Sequence, residues 1–334
     1  MRRLITLFSG QFADMTLGDF TGKARAWGYE GVELACWGEH LNVGRLVSDR
    51  RYVDGVRRSL GEAGLECRAI STHLVSQAVC EGVFDERHRK ILPSGIWGNG
   101  DWEGIRLRAE ERIKETARAA AAIGADTVVG FTGSPMFYMF NGWPPVPWEM
   151  VEGGYADFGK RWGRILDVFE EVGVKYALEI MPGEIAYDVE TWNRAYEAVG
   201  RRENFGVNLD PTHLVWQMLD VIEVVRAIGG SIFHVHCKDA RMHLTGLNSV
   251  LGSHLPPGRG ARAWEFVTVG RGEVPFEGMV RMLDNVGYEG PLSVEWEDSL
   301  MDREQGAIEG AEYMRRLRFA PASSVWRSAF VTKD

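Results

Sequence analysis

Several common features are scarce in this 334-residue sequence, and each absence removes a class of protein. There are four cysteines, Cys36, Cys67, Cys80 and Cys237, without a CxxC spacing among them. They are too sparse for a disulfide scaffold or a thiolate zinc site and read as free thiols. Basic charge is not in excess, since 38 Lys+Arg stand against 47 Asp+Glu for a net charge of −9. A nucleic-acid binder would need a basic surface to neutralise phosphates, so no nucleic-acid partner is expected. No stretch approaches the roughly 18 apolar residues of a membrane span. The apolar run Leu4 to Phe8 behind Met1-Arg2-Arg3 is too short for a signal peptide, so a cytoplasmic location is expected and no membrane partner. Neither GxGxxG nor GxxxxGK[ST] follows any β-branched run, which removes the usual nucleotide-binding signals.

What is present, 45% hydrophobic and 25% charged residues, is the composition of an ordinary globular protein and excludes disordered or collagen-like character. One unit recurs along the chain: a polar-apolar helical stretch, a glycine, then a short β-branched run. It is seen around Gly28, Gly64, Gly124, Gly173 and Gly287. A residue that ends a helix commonly takes the left-handed conformation, which costs glycine least, so each unit reads as helix, tight turn, strand. With the runs at 4–8, 205–210 and 232–237, strands are predicted at 4–8, 31–35, 67–72, 127–131, 175–180, 205–210, 232–237 and 291–296. Helical patterns fall between them, for example at 108–123, 156–172 and 276–286.

Strict alternation implies parallel pairing with right-handed crossovers. Length alone would suggest two domains. Eight units in one chain of this size instead predict a single (β/α)8 TIM barrel of the α/β class over residues 1–319, followed by an irregular tail at 320–334. Trp326 and Phe330 in that tail are candidates for packing on a neighbour. Three connections, 74–105, 132–155 and 239–272, are too long for plain turns and are rich in Gly, Pro and Trp. All three follow strands, so they rise from the C-terminal face, where barrel active sites are built. The preferred reading is a lid, with 97–102 and 143–148 closing over the site; decoration is the plainer alternative.

Period-two alternation assigns the strand faces. Tyr176, Leu178 and Ile180 share one side of the fifth strand, which turns Glu179 inward. The same logic turns Asn208 and Asp210, His234 and His236, and Ser293 and Glu295 toward the axis, with Phe233, Val235 and Cys237 among the outward residues. Glu179, Asp210, His236 and Glu295 thus stand at four consecutive strand ends. Three carboxylates at close quarters repel one another unless a cation neutralises them, so one divalent metal is expected there. The oxygen-rich set favours manganese, with Mg2+, Co2+, Fe2+ and Zn2+ as alternatives. His234 sits one layer deeper and reads as structural or as a support for a ligand. Glu33, also inward, reads as a buried structural carboxylate. Trp37, His40 and His73 are placed at the same rim. Trp37 reads as a stacking surface for a ring or as core, Glu184 as a hydroxyl contact or a loop cap, and Lys238 as an oxyanion partner or a salt bridge to Asp239.

The order Glu, Asp-x-x-His, His-x-His-x-Lys-Asp, Glu on the last four strands resembles the sugar phosphate isomerase/epimerase family of the xylose-isomerase-like TIM barrel superfamily. The resemblance runs from GYEGVEL at 28–34 to PLSVEWED at 291–298 and is carried by EIMPGEIAYD (179–188), NLDPTHLVWQ (208–217) and HVHCKD (234–239). It implies Glu179, Asp210, His236 and Glu295 as metal ligands, Glu179 and Glu295 as the acid/base pair, and His213 as a substrate contact or second-metal ligand. The sequence departs from the epimerase branch after His236, where Lys238-Asp239-Ala240-Arg241 leads into a long insertion instead of a short loop with an Arg. The resemblance implies a metal-dependent sugar isomerase or epimerase acting on a small carbohydrate. Its alternative outcome is β-elimination of a 3-oxo-glycoside, often with a second subunit, and a non-catalytic partner subunit ranks below both. The endonuclease branch needs more rim histidines than this chain has. A homo-oligomer stays open.

Overall fold

The structure is a computed structural model that describes residues 3–319. The tail at 320–334, with Trp326 and Phe330, lies outside the described residues. Among the described residues ten strands occur in chain order: β1 Ile5–Phe8, β2 Gly31–Ala35, β3 Glu66–Ser71, β4 Thr127–Gly130, β5 Lys175–Glu179, β6 Phe205–Leu209, β7 Ile232–Cys237, β8 Asp239–Met242, β9 Trp264–Val267 and β10 Leu292–Val294. Eight close a parallel barrel in the order β1-β10-β7-β6-β5-β4-β3-β2, and β8 pairs with β9 as an antiparallel hairpin outside it. The (β/α)8 barrel is therefore present, with each of its strands where the alternation of patterns puts one. Gly28, Gly64, Gly124, Gly173 and Gly287 all adopt positive φ, between 62° and 88°, which is what turns each helix end tightly into the next strand.

The core lies between the outer face of the barrel and the helices, where Leu7, Val32, Ile70, Val128, Tyr176, Leu178, Val207 and Val235 are all buried. Trp162 of the helix Trp148–Val172 packs on Tyr176 with ring centroids 4.5 Å apart. A smaller apolar cluster of Ala69, Val129 and Ala177 packs with Phe233. That contact corrects the outward assignment of Phe233. The register between β6 and β7 shifts from Val207↔Ile232 to Asn208↔His234, so one residue is added on β7 and the alternation breaks at that point.

The three long connections contain more regular structure than their composition suggests. The helix predicted from 108 begins at Trp102, and the one predicted from 156 begins at Trp148. The third connection supplies the β8–β9 hairpin. Among the described residues no helix is long and apolar enough to cross a membrane.

Candidate metal centre

Each inward strand end is delivered by a local device. Glu179 closes β5, and Asp210 follows β6 as the N-cap of the one-turn helix Pro211–Val215. One Asp210 oxygen, Oδ1, accepts from the Thr212 backbone N–H at 2.9 Å and from the Thr212 hydroxyl at 2.7 Å. Capping thus uses half of the carboxylate and leaves Oδ2 aimed at the barrel mouth. Three residues along the same turn, His213 Nε2 returns to 3.2 Å from Asp210 Oδ2 and 3.1 Å from Glu179 Oε1. Glu295 lies one residue past β10, and its N–H still donates to Cys237 O at 3.1 Å, which extends the ladder to the site.

Among the described residues, Glu179, Asp210, His236 and Glu295 each offer a ligand atom, all within 4.8 Å of one another, and all four residues are buried. His236 Nδ1 stands 3.0 Å from Glu179 Oε2 and 3.0 Å from Glu295 Oε2. Asp210 Oδ2, His236 Nδ1 and Glu295 Oε2 are buried yet make no hydrogen bond of sound geometry. Buried polar atoms are nearly always hydrogen-bonded, so three ligand atoms that make ion-pair contacts but no hydrogen bond of sound geometry, gathered in one cluster, fit a divalent cation. A set of three carboxylates and one imidazole is a mostly hard one.

Burial alone would raise the Glu179 carboxyl; the charge of His236 and hydrogen bonds from His213, His236 and His73 outweigh it and hold it well below the carboxylate range. Asp210 and Glu295 are likewise raised by burial but brought down below the usual value, chiefly by the Lys238 ammonium. His213 is opposed by burial yet carried up to about 9 by Asp210. The mouth is thus a set of charges matched at close range.

The remaining expected residues divide. His73 reaches Glu179 Oε2 at 3.2 Å, and Trp37 lines the same cavity in edge contact with Phe8 and His73. Lys238 is there too, with Nζ 2.9 Å from Asp210 Oδ2, 3.1 Å from Glu295 Oε2 and 3.3 Å from Glu297 Oε2. Its expected alternative partner, Asp239, points the other way because neighbours along a strand alternate faces. Asp239 accepts instead from the backbone N–H groups of Gly270, Gly272 and Val274. Glu184 is not brought to the cavity: its Oε2 accepts from the N–H groups of Thr132 and Gly133, both at 2.7 Å, and ties the loop after β4. His40 is not at the rim either; it is buried, with Nδ1 2.9 Å from Ser9 Oγ, and packs on Phe20.

The cavity holds about 420 Å3 and is lined by both polar and aromatic side chains. Gln11 and Glu297 are among the polar ones, and Gln11 Nε2 donates to Glu295 Oε1 at 3.3 Å and to Glu297 Oε1 at 3.4 Å. Glu297 was legible, since it continues the 293/295 alternation, whereas nothing in the sequence marks Gln11. Also lining the cavity, Trp216 and Trp264 stack with centroids 4.9 Å apart and planes 8° from parallel, with Trp264 beside Phe266.

The expected lid is not there. Trp97 and Trp102 pack on Phe84, and Arg108 holds the carbonyls of Ile96 and Trp97, so 97–102 is fastened to the helix Trp102–Ile123. Trp143 is 79% exposed, and Trp148 is 62% exposed with the Arg194 guanidinium over its ring. Neither segment lines the cavity, and of Trp97, Trp102, Trp143, Trp148 and Trp264 on the three long connections only Trp264 reaches it.

A closed parallel barrel with a cation-type cluster at its C-terminal mouth defines a metal-dependent barrel enzyme. Residues 22–317 match the family model of the xylose isomerase-like TIM barrel, and the chain belongs to that family. It is 35% identical over 222 residues to the uncharacterized protein YfiH of Bacillus subtilis, covering 60% of this chain and 69% of that one. It is 32% identical over 108 residues to an inosose dehydratase of Clostridium botulinum, covering 32% of this chain and 36% of the dehydratase, so it spans about a third of that relative. In fold it is similar to 3-keto-D-glucoside 4-epimerase from E. coli, with a TM-score of 0.65 and 14% identity over 94% of this chain and 100% of that one.

Proposed function

We propose that the chain is a sugar isomerase or epimerase working by proton transfer beside a carbonyl, with Glu179, Asp210, His236 and Glu295 holding one divalent cation, manganese first among the candidates. The observation that carries this is the approach of Glu179 and Glu295 to the same atom, His236 Nδ1, from strands on either side of it. A cation held there supplies Lewis acidity, polarising a bound carbonyl and acidifying the neighbouring C–H.

The protein's own groups do the rest. One glutamate takes the proton, and the other returns it to the same or the adjacent carbon. Lys238 brings positive charge to the side where negative charge grows, and the aromatic side chains keep water from it. Gln11, His73 and His213 offer hydrogen bonds that orient hydroxyls. This reading favours neutral sugars: among the described residues Lys238 is the one lysine lining the cavity and already faces three carboxylates within 3.3 Å, and no arginine lines it.

Deuterium wash-in from D2O into neutral keto sugars, followed by NMR with Mn2+ present, tests this reading. Exchange at the carbon beside the carbonyl is expected; silence across the panel overturns it. A second reading, β-elimination from a 3-oxo-glycoside, draws on the Trp216–Trp264 stack, which suits a ligand with a second ring, and on the partial match to a dehydratase. It loses the support of 97–102 and 143–148. Release of aglycone without a returned proton would favour it.

A further inference from the structure

We propose that Glu33 is the positioning residue of the metal centre: its carboxylate accepts a hydrogen bond from His236 Nε2–H, keeps the ring proton on that nitrogen and so presents the Nδ1 lone pair to the cation. This rests on the reading of His236 as a ligand. An imidazole can bind metal through either nitrogen, and the hydrogen bond made by the other nitrogen decides which.

Here the two nitrogens face different groups. Nδ1 looks up at Glu179 and Glu295, each at 3.0 Å, while Nε2 looks down at Glu33 Oε1 and Oε2, 3.0 and 3.1 Å away. Phe8 lies nearly parallel to the imidazole, at 5.3 Å and 22°, and fixes its plane.

Glu33 is itself held from three other strand positions. It is fully buried on β2, and it accepts from Ser71 Oγ of β3, from Ser293 Oγ of β10 at 2.7 Å and from His234 Nε2 of β7 at 2.7 Å. Two carboxylate oxygens offer about four lone-pair positions. Ser71, Ser293, His234 and His236 therefore saturate them.

The same count argues against a different use of this group. Glu33, His234 and His236 also lie close enough together to form a cation site of their own. Such a site would displace hydroxyl donors from a saturated carboxylate and would require His236 to give up both ring protons to bridge two ions. A carboxylate that orients the ring needs neither.

The test is Mn2+ affinity of metal-depleted protein, read by competition with a chromophoric chelator, for wild type and Glu33→Gln. The amide keeps the size but not the charge, and affinity should fall by roughly 10- to 100-fold with the metal-free Tm recorded alongside. Histidine 15N NMR of the wild type with Zn2+ decides the matter even if Glu33→Gln does not fold. His236 should show Nε2 protonated and Nδ1 coordinated. Unchanged affinity in folded Glu33→Gln, coordination through Nε2, or two ions per chain would each overturn the role of Glu33 while leaving the cluster intact. A wild type that binds no divalent ion would overturn the cluster reading, and this one with it.

Discussion

In the proposed function Glu179 and Glu295 each do two things, and substitution separates them. Replacing either by Gln keeps shape and one ligating oxygen but removes the proton acceptor, so Glu179→Gln and Glu295→Gln should each lower turnover by about a hundredfold or more with metal still bound. A variant that holds its metal and keeps near-wild-type turnover would show that its glutamate serves as a ligand only. Glu184 poses the opposite question, of stability without catalysis. Burial pushes its carboxyl up to about 8, against an ordinary value of 4.5. Between those pH values the unfolded chain has released the proton while the folded chain retains it, so this group's contribution to stability falls as pH rises through the window. Glu184→Gln keeps a carbonyl for the Thr132 and Gly133 N–H groups. Its Tm profile should therefore be flatter than that of the wild type from about pH 5 to 8. A parallel profile would place the pH dependence elsewhere. The four strand-end residues were legible in the sequence because alternation along a single strand decides which way each points. For Glu184 a loop cap was one of two readings open in the sequence; which loop it ties was not legible, since that depends on where the β4 loop passes, 52 residues away.

Among the elements, the β8–β9 hairpin brings Trp264 and Phe266 to the cavity from outside the barrel. Period two along β9 puts Trp264 and Phe266 on one face, and that face meets Trp216 and the Lys238 ammonium, 4.5 Å above the Phe266 ring. Trp264→Leu removes the stacking surface and should raise KM by about tenfold while changing kcat less, as expected where an aromatic pair is worth on the order of 1 kcal/mol. If kcat falls as far as KM rises, the hairpin acts on the chemistry and not only on binding. The segments at 97–102 and 143–148 look the same in composition but are spent elsewhere, on Phe84, Arg108 and exposed surface. Trimming 143–148 should accordingly leave KM where it is. Composition announced that these loops were unusual; which surface each tryptophan meets is a matter of long-range packing.

At the scale of the molecule, the barrel mouth gathers buried charge that is costly to hold together. Glu179, Asp210 and Glu295 are each less than a tenth exposed. A cation that binds the folded chain and not the unfolded one stabilises it by about 2.7 kcal/mol at a hundredfold excess over its Kd. Exhaustive chelation should then lower Tm by about 5 °C, and added Mn2+ should restore it. A chelated protein with an unchanged Tm would mean that Lys238 and the histidines balance the carboxylates unaided.

The amino-acid sequence by itself determined the eightfold alternation, the turn glycines, and the four inward residues at consecutive strand ends. Each of these is written in a spacing of a few residues: two along a strand, one turn at a helix end. Only the tertiary structure decided which groups meet across the barrel. His234 and Glu33 are 201 residues apart, and Gln11 and Glu295 are 284 apart. The bulge that turns Phe233 inward arises between two strands, not within one. A contact of that kind is set by the closure of the sheet and by the competition of distant side chains for the same space, and no local period in the chain encodes it.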